Sequence, residues 1–127
     1  MRQIFRAAFA VAVVTTLSAL PAVAEDRLGS RTVAYASEKD MIPVPGKKRY
    51  KSIKLCVARH AVRFRDLDVV FGNGGKDDIT VRRVIPAGEC TRWADLRGPR
   101  RNIKRIVLHY DTYGNAGPRA IVTAWGR

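Results

Sequence analysis

Most of this chain is written in twos. The stretch KSIKLCVAR (51–59) sets Ile53, Leu55 and Val57 on one side and Lys54, Cys56 and Ala58 on the other. Helical spacing is nearly absent after residue 24, so the chain has one economical way to hide its apolar side chains, which is to pair as strands. Further short runs occur at 31–37, 40–44, 78–85, 90–96, 103–111 and 119–125. Pro43 lacks an N–H and belongs at an edge or bulge. In 60–75, Val62 and Phe64 keep one register, while Leu67, Val69 and Phe71 keep another, offset by one. A bulge or bend near Arg65-Asp66 reconciles them. Asn73-Gly74 then marks a hairpin.

The spacing predicts about eight short strands joined by turns at 44–48, 72–75, 86–88 and 113–118. Parallel pairing needs crossovers of a dozen residues or more, and the sequence leaves no room for them. The expected fold is therefore all-β, an antiparallel β-sandwich or the closely related barrel, with the sandwich preferred.

The first 24 residues read as an address. Arg2 and Arg6 are followed by AAFAVAVVTTLSAL, then Pro21 and the small-x-small triplet Ala22-Val23-Ala24. That is the order of a secretory signal peptide, cleaved after Ala24. The apolar run is shorter than the ~20 residues of a spanning helix, and no cysteine follows it to make a lipoprotein. The mature chain is then one domain, residues 25–127, expected in the periplasm or the medium.

That mature chain keeps 22 of the 24 basic residues and all 11 acidic ones, a net charge of +11. Such a charge favours polyanions: lipid headgroups, acidic polysaccharide or nucleic acid. In an oxidising compartment its two cysteines, Cys56 and Cys90, have one intramolecular pairing open to them. Cys56 shares a face with Lys54, and Cys90 shares parity with Arg92, so both fall on the more polar side of their strands.

The succession LGSRTV, KDMIPV, YKSIKLCV, DLDVVFGNGGKDDITVR and IPAGECTRWADLRGPRRNIKRIVLHY, ending in WGR, resembles a family of small secreted proteobacterial proteins grouped as a domain of unknown function. The resemblance spans nearly all of the mature chain. It implies a single β-sandwich behind a signal peptide and brings no catalytic motif. The disulfide is not part of it, because other members place their cysteines differently.

The residues themselves point away from catalysis. His60 and His109 are too few for a nitrogen or sulfur metal site once both thiols are oxidised. Ser30, Ser37 and Ser52 lie outside any G-x-S-x-G elbow. Asp66, Asp68, Asp77 and Asp78 offer oxygen ligands of the kind calcium takes, but they do not follow the D-x-[DN]-x-[DN]-G loop. The plainer reading pairs Asp66 and Asp68 with Arg65, Arg82 or Arg83 and leaves Asp77-Asp78 as turn residues. No enzyme, metal or cofactor is expected.

Two basic clusters remain. One is Lys47, Lys48 and Arg49, continued by Lys51 and Lys54. The other is Arg97, Arg100, Arg101, Lys104 and Arg105. Both read as turns leading into strands. If those turns share one end of the sandwich they make a single anion-binding patch, with forked guanidinium groups suited to phosphate or sulfate. An envelope polyanion, such as lipopolysaccharide phosphate or an acidic glycan, is the expected ligand. Nucleic acid fits less well, because it calls for stacking aromatics. Tyr50, Phe64, Phe71, Trp93 and Tyr110 hold core-like positions, and only Tyr113 and Trp125 read as exposed. The alternative is a protein-interaction module, an inhibitor or envelope assembly subunit, using the sheet edge near Pro43 or the loop at 113–118.

Overall fold

The computed structural model describes residues 24–33, 39–112 and 119–127. The expected leader lies outside the described residues up to residue 23, as do residues 34–37 of the first expected strand and the turn at 113–118. Among the described residues nine strands follow one another: β1 Asp26–Val33, β2 Lys39–Pro43, β3 Arg49–Tyr50, β4 Ser52–Ala58, β5 Val62–Phe71, β6 Lys76–Ile85, β7 Ala94–Asp95, β8 Arg101–Thr112 and β9 Ala120–Gly126. They form two sheets. One runs β1-β9-β4-β7, and the other runs β2-β8-β5-β6 with β3 also on β8. Every pairing is antiparallel.

The alternation decides the core. Ile53, Leu55 and Val57 of β4 face Val62, Phe64, Leu67, Val69 and Phe71 of β5 and Ile106, Leu108 and Tyr110 of β8. A fully buried Leu, Ile or Phe stabilises the fold by about 1.5–3 kcal/mol. The register of β5 slips between Phe64 and Asp66 against both of its neighbours, so the bulge stands where the two alternations disagree. At the tip of the β5–β6 hairpin Gly74 has φ +87°, a conformation that favours glycine.

Cys56 and Cys90 form a disulfide between β4 and the segment leading to β7. In the chain-entropy picture, closing that 34-residue span stabilises the fold by about 3–4 kcal/mol. Both cysteines lie on the outer side, as their parity requires.

Three readings are corrected. The first strand starts at Asp26, not at residue 31. A register shift between Arg27 and Gly29 breaks its alternation, so Leu28 and Val33 both point inward and no simple period of two survives. The expected strand at 90–96 shrinks to Ala94–Asp95 and a lone bridge at Cys90. There the Thr91 hydroxyl accepts the Leu55 N–H at 3.0 Å, taking a donor that a regular ladder would use. Finally, β8 begins at Arg101, two residues before the expected start at 103, so Arg101 is a strand residue rather than a turn residue, beside Lys104 and Arg105, which fall inside the expected strand.

Candidate functional site

Three connections meet at one end of the sandwich: 44–48 between β2 and β3, the hairpin turn at 72–75, and 96–100 between β7 and β8. Asn102 ties two of them together. Its carbonyl accepts the Gly72 N–H at 2.9 Å. Its Nδ2 donates to the Gly46 carbonyl at 3.1 Å and lies 3.4 Å from that of Lys48. A Cβ on Gly72 would collide with Asn102 Oδ1, so a larger residue there would have to displace the Asn102 amide. The third connection is anchored by Asp77. This buried carboxylate accepts the Arg97 N–H at 3.0 Å and lies 3.5 Å from Arg97 Nε.

Between these turns lies a cleft of about 450 Å³, with Lys47, Arg49, Arg100 and Arg101 around it and Asn73 and Asn102 between them. Among the described residues no carboxylate lines it. Lys47, Arg49 and Arg100 have no ion-pair partner among the described residues. Arg101 is held: its guanidinium carbon lies 3.6 Å from the Phe71 ring centroid, and Nη2 is 3.4 Å from Asn73 Oδ1. That oxygen also accepts the Gly75 N–H at 2.9 Å. Arg101 also lines the cleft, to which a guanidinium brings a planar set of donors.

The two basic clusters thus meet, but only in part. Lys48 turns away to pair with Asp26, whose carboxylate also accepts the Tyr50 hydroxyl at 3.0 Å. Those two donors hold the Asp26 carboxyl below its usual range. Burial, and then the bond to Asp26, push the Tyr50 hydroxyl up. Arg97 is taken by Asp77. Lys104 is the extra residue of a bulge, since Val70 faces Arg105 and Phe71 faces Ile103. Neither Lys104 nor Arg105 lines the cleft. Lys54 belongs to the outer face of the other sheet, where it pairs with Glu25 and lies 4.8 Å over Trp93.

Several readings of single residues change with the geometry. Trp93 is not a core residue. It is half-buried on the outer side, with Lys54 and Arg127 against its ring. Asp77 is a buried strand residue, not part of a turn. Asp68 pairs with His109 Nε2 at 3.0 Å and Lys76 at 3.8 Å rather than with an arginine. Among the described residues no three His, Cys, Asp or Glu side chains cluster as metal ligands would.

Asn73, Asn102 and Phe71 were not among the residues read as functional. The only signal for Asn102 is its type, since asparagine is depleted in strands and this one is the second residue of β8, behind two arginines.

The sequence profile of DUF2541, a domain of unknown function, matches residues 7–126. The chain belongs to this family. The matched span takes in all nine strands and the whole cleft. No significant match was found among curated proteins or among solved structures. Among the described residues, no helix of this DUF2541 chain is long and apolar enough to cross a membrane.

Proposed function

We infer that this DUF2541 domain is a binding module rather than an enzyme, and that it acts outside the cytoplasm on an anionic group of the cell envelope. The ligand is a phosphate or acidic sugar of an envelope polymer or lipid headgroup, with lipopolysaccharide phosphate the leading case. One observation carries the reading: four cations from two distant stretches of sequence converge on one cleft that no carboxylate among the described residues lines. A chain that needed positive charge only for solubility would gain nothing by gathering it, since like charges repel. Arg101 is already stacked and hydrogen-bonded, so little side-chain entropy is lost when an anion arrives.

The test is binding of the purified protein to lipopolysaccharide, an acidic glycan and DNA across a salt series. Tight binding to one of the first two that survives physiological salt supports the reading. Weak binding to all three that vanishes together with screening rejects it.

A protein partner is the second reading, favoured by the free edges of one sheet. Met41 on β2 and Val84 on β6 are exposed large apolar side chains on its two outermost strands. Added strands dock on edges of this kind.

A further inference from the structure

Strand β9 is built inside out. Its inward residues are Ala120, Val122, Ala124 and Gly126, and its outward residues are Ile121, Thr123 and Trp125. The small inward residues have a packing cause, since a Cβ on Gly126 would meet the Tyr50 ring at 2.8 Å. The core supplies no such cause for the large outward ones. They place a half-buried indole, Trp125, on the outer face of the sheet.

Trp125 sits at the centre of that face. It is cross-strand from Arg27 on β1 and from Lys54 on β4. Cations in those places commonly cap an indole ring, but here neither does. Arg27 Nη2 is turned to Ser30 Oγ at 2.7 Å, and Lys54 reaches Glu25 at 3.3 Å and the Trp93 ring. Among the described residues nothing stacks on Trp125, and its indole N–H has no hydrogen-bond partner.

Beside the ring is a shallow well of about 380 Å³, rimmed by Glu25, Arg27, Lys54 and Thr123. That volume is in the range of small-ligand sites, about 300–1,000 Å³. The rim differs in kind from the basic cleft. It mixes a carboxylate acceptor, two cationic donors, a hydroxyl that does both, and the free indole N–H.

We propose that this well binds a neutral saccharide ring, with Trp125 as its platform. A pyranose has an apolar C–H face that packs on an aromatic ring and an equator of hydroxyls that both donate and accept. Both halves of that chemistry are present here. The platform lies on β9, which is paired on both sides, and Arg27 and Lys54 are already held, so the site is formed before the sugar arrives. It is a second site, and it stands whether or not the basic cleft binds an anion.

The probes are chitotetraose and cellotetraose, titrated into ¹⁵N-labelled protein. The two indole N–H signals are assigned with Trp93→Phe. The expected result is a saturable shift of the Trp125 indole and the Thr123 amide, with the Trp93 indole nearly still. Trp125→Ala should weaken binding about tenfold or more, Trp125→Phe should retain part of it, and both should keep the wild-type far-UV spectrum. Lipopolysaccharide binding should be unchanged in either variant. If neither sugar moves the Trp125 indole up to its solubility limit, the proposal is wrong. It is equally wrong if the Thr123 shift persists unchanged in Trp125→Ala.

Discussion

The guanidinium of Arg101 lies over the ring of Phe71, 3.6 Å from its centroid, so a core aromatic serves as the shelf for a cleft cation. Phe71 is buried at the end of β5, and Arg101 opens β8. The two roles separate on substitution. Arg101→Ala should cost little stability, about 0.5–1 kcal/mol for the lost cation–π contact, yet weaken anion binding clearly. Phe71→Leu should cost about 1 kcal/mol in urea unfolding and also weaken binding, because Arg101 loses its shelf. Equal binding by Phe71→Leu and wild type would show that the stacking does not position the guanidinium.

Asp77 anchors the 96–100 connection from below. Asp77→Ala removes the acceptor of the Arg97 N–H, and urea unfolding should show a loss of about 1.5–3 kcal/mol. Hydrogen exchange should rise at residues 97–100 before it rises in β5 or β8. Unchanged exchange there would mean that the loop is held by something else.

Gly72→Ala drives a methyl into Asn102 Oδ1. The variant should lose about 1–3 kcal/mol, and it should bind anions less well as Asn102 releases the Gly46 carbonyl. Adding Asn102→Ala should return part of the stability, giving a coupling energy in a double-mutant cycle. Strict additivity of the two changes would contradict the contact.

Asp26 makes the turn carrying Lys47, and the start of β3 with Arg49, sensitive to acid. Its carboxyl is held below the usual value by Lys48 and Tyr50. The stability from those bonds is therefore present above the unfolded value, about 3.9, and is lost as pH falls through the lower folded value. Tyr50 is shifted up, so its share is complete below about 10 and is lost as pH rises beyond that. Thermal melts from pH 7 down to pH 2 should show a steeper loss for wild type than for Asp26→Asn. Parallel curves would show that the pair does not couple to folding.

How much of this could be read from the sequence depends on the range of the interaction involved. Ile53, Leu55, Val57 and the offset between Phe64 and Leu67 are local periodicities, and the two sheets and the β5 bulge follow them. The strand at 90–96 was misread because one hydroxyl, Thr91, competes with the ladder, and alternation does not register that. Trp93 has the spacing of a core residue but was claimed by Lys54 and Arg127, which come from β4 and the chain end.

The cleft was legible only as two separate basic runs. Their meeting depends on Asn102 bonding across 56 positions to Gly46. Which cations it keeps depends on Asp26 and Asp77 removing Lys48 and Arg97. No short window of sequence contains both members of any of these pairs.

The proposed anion site depends on where its cations stand, not on total charge. The direct measurement compares two variants of equal net charge in lipopolysaccharide binding at about 0.15 M salt. One carries Lys47→Glu, Arg49→Glu, Arg100→Glu and Arg101→Glu. The other carries Arg63→Glu, Arg82→Glu, Arg83→Glu and Arg92→Glu, all exposed and outside the cleft. The first should lose affinity by about a hundredfold or more while the second stays near wild type. Equal losses in the two would contradict this and reduce the cleft to one part of a generally basic surface.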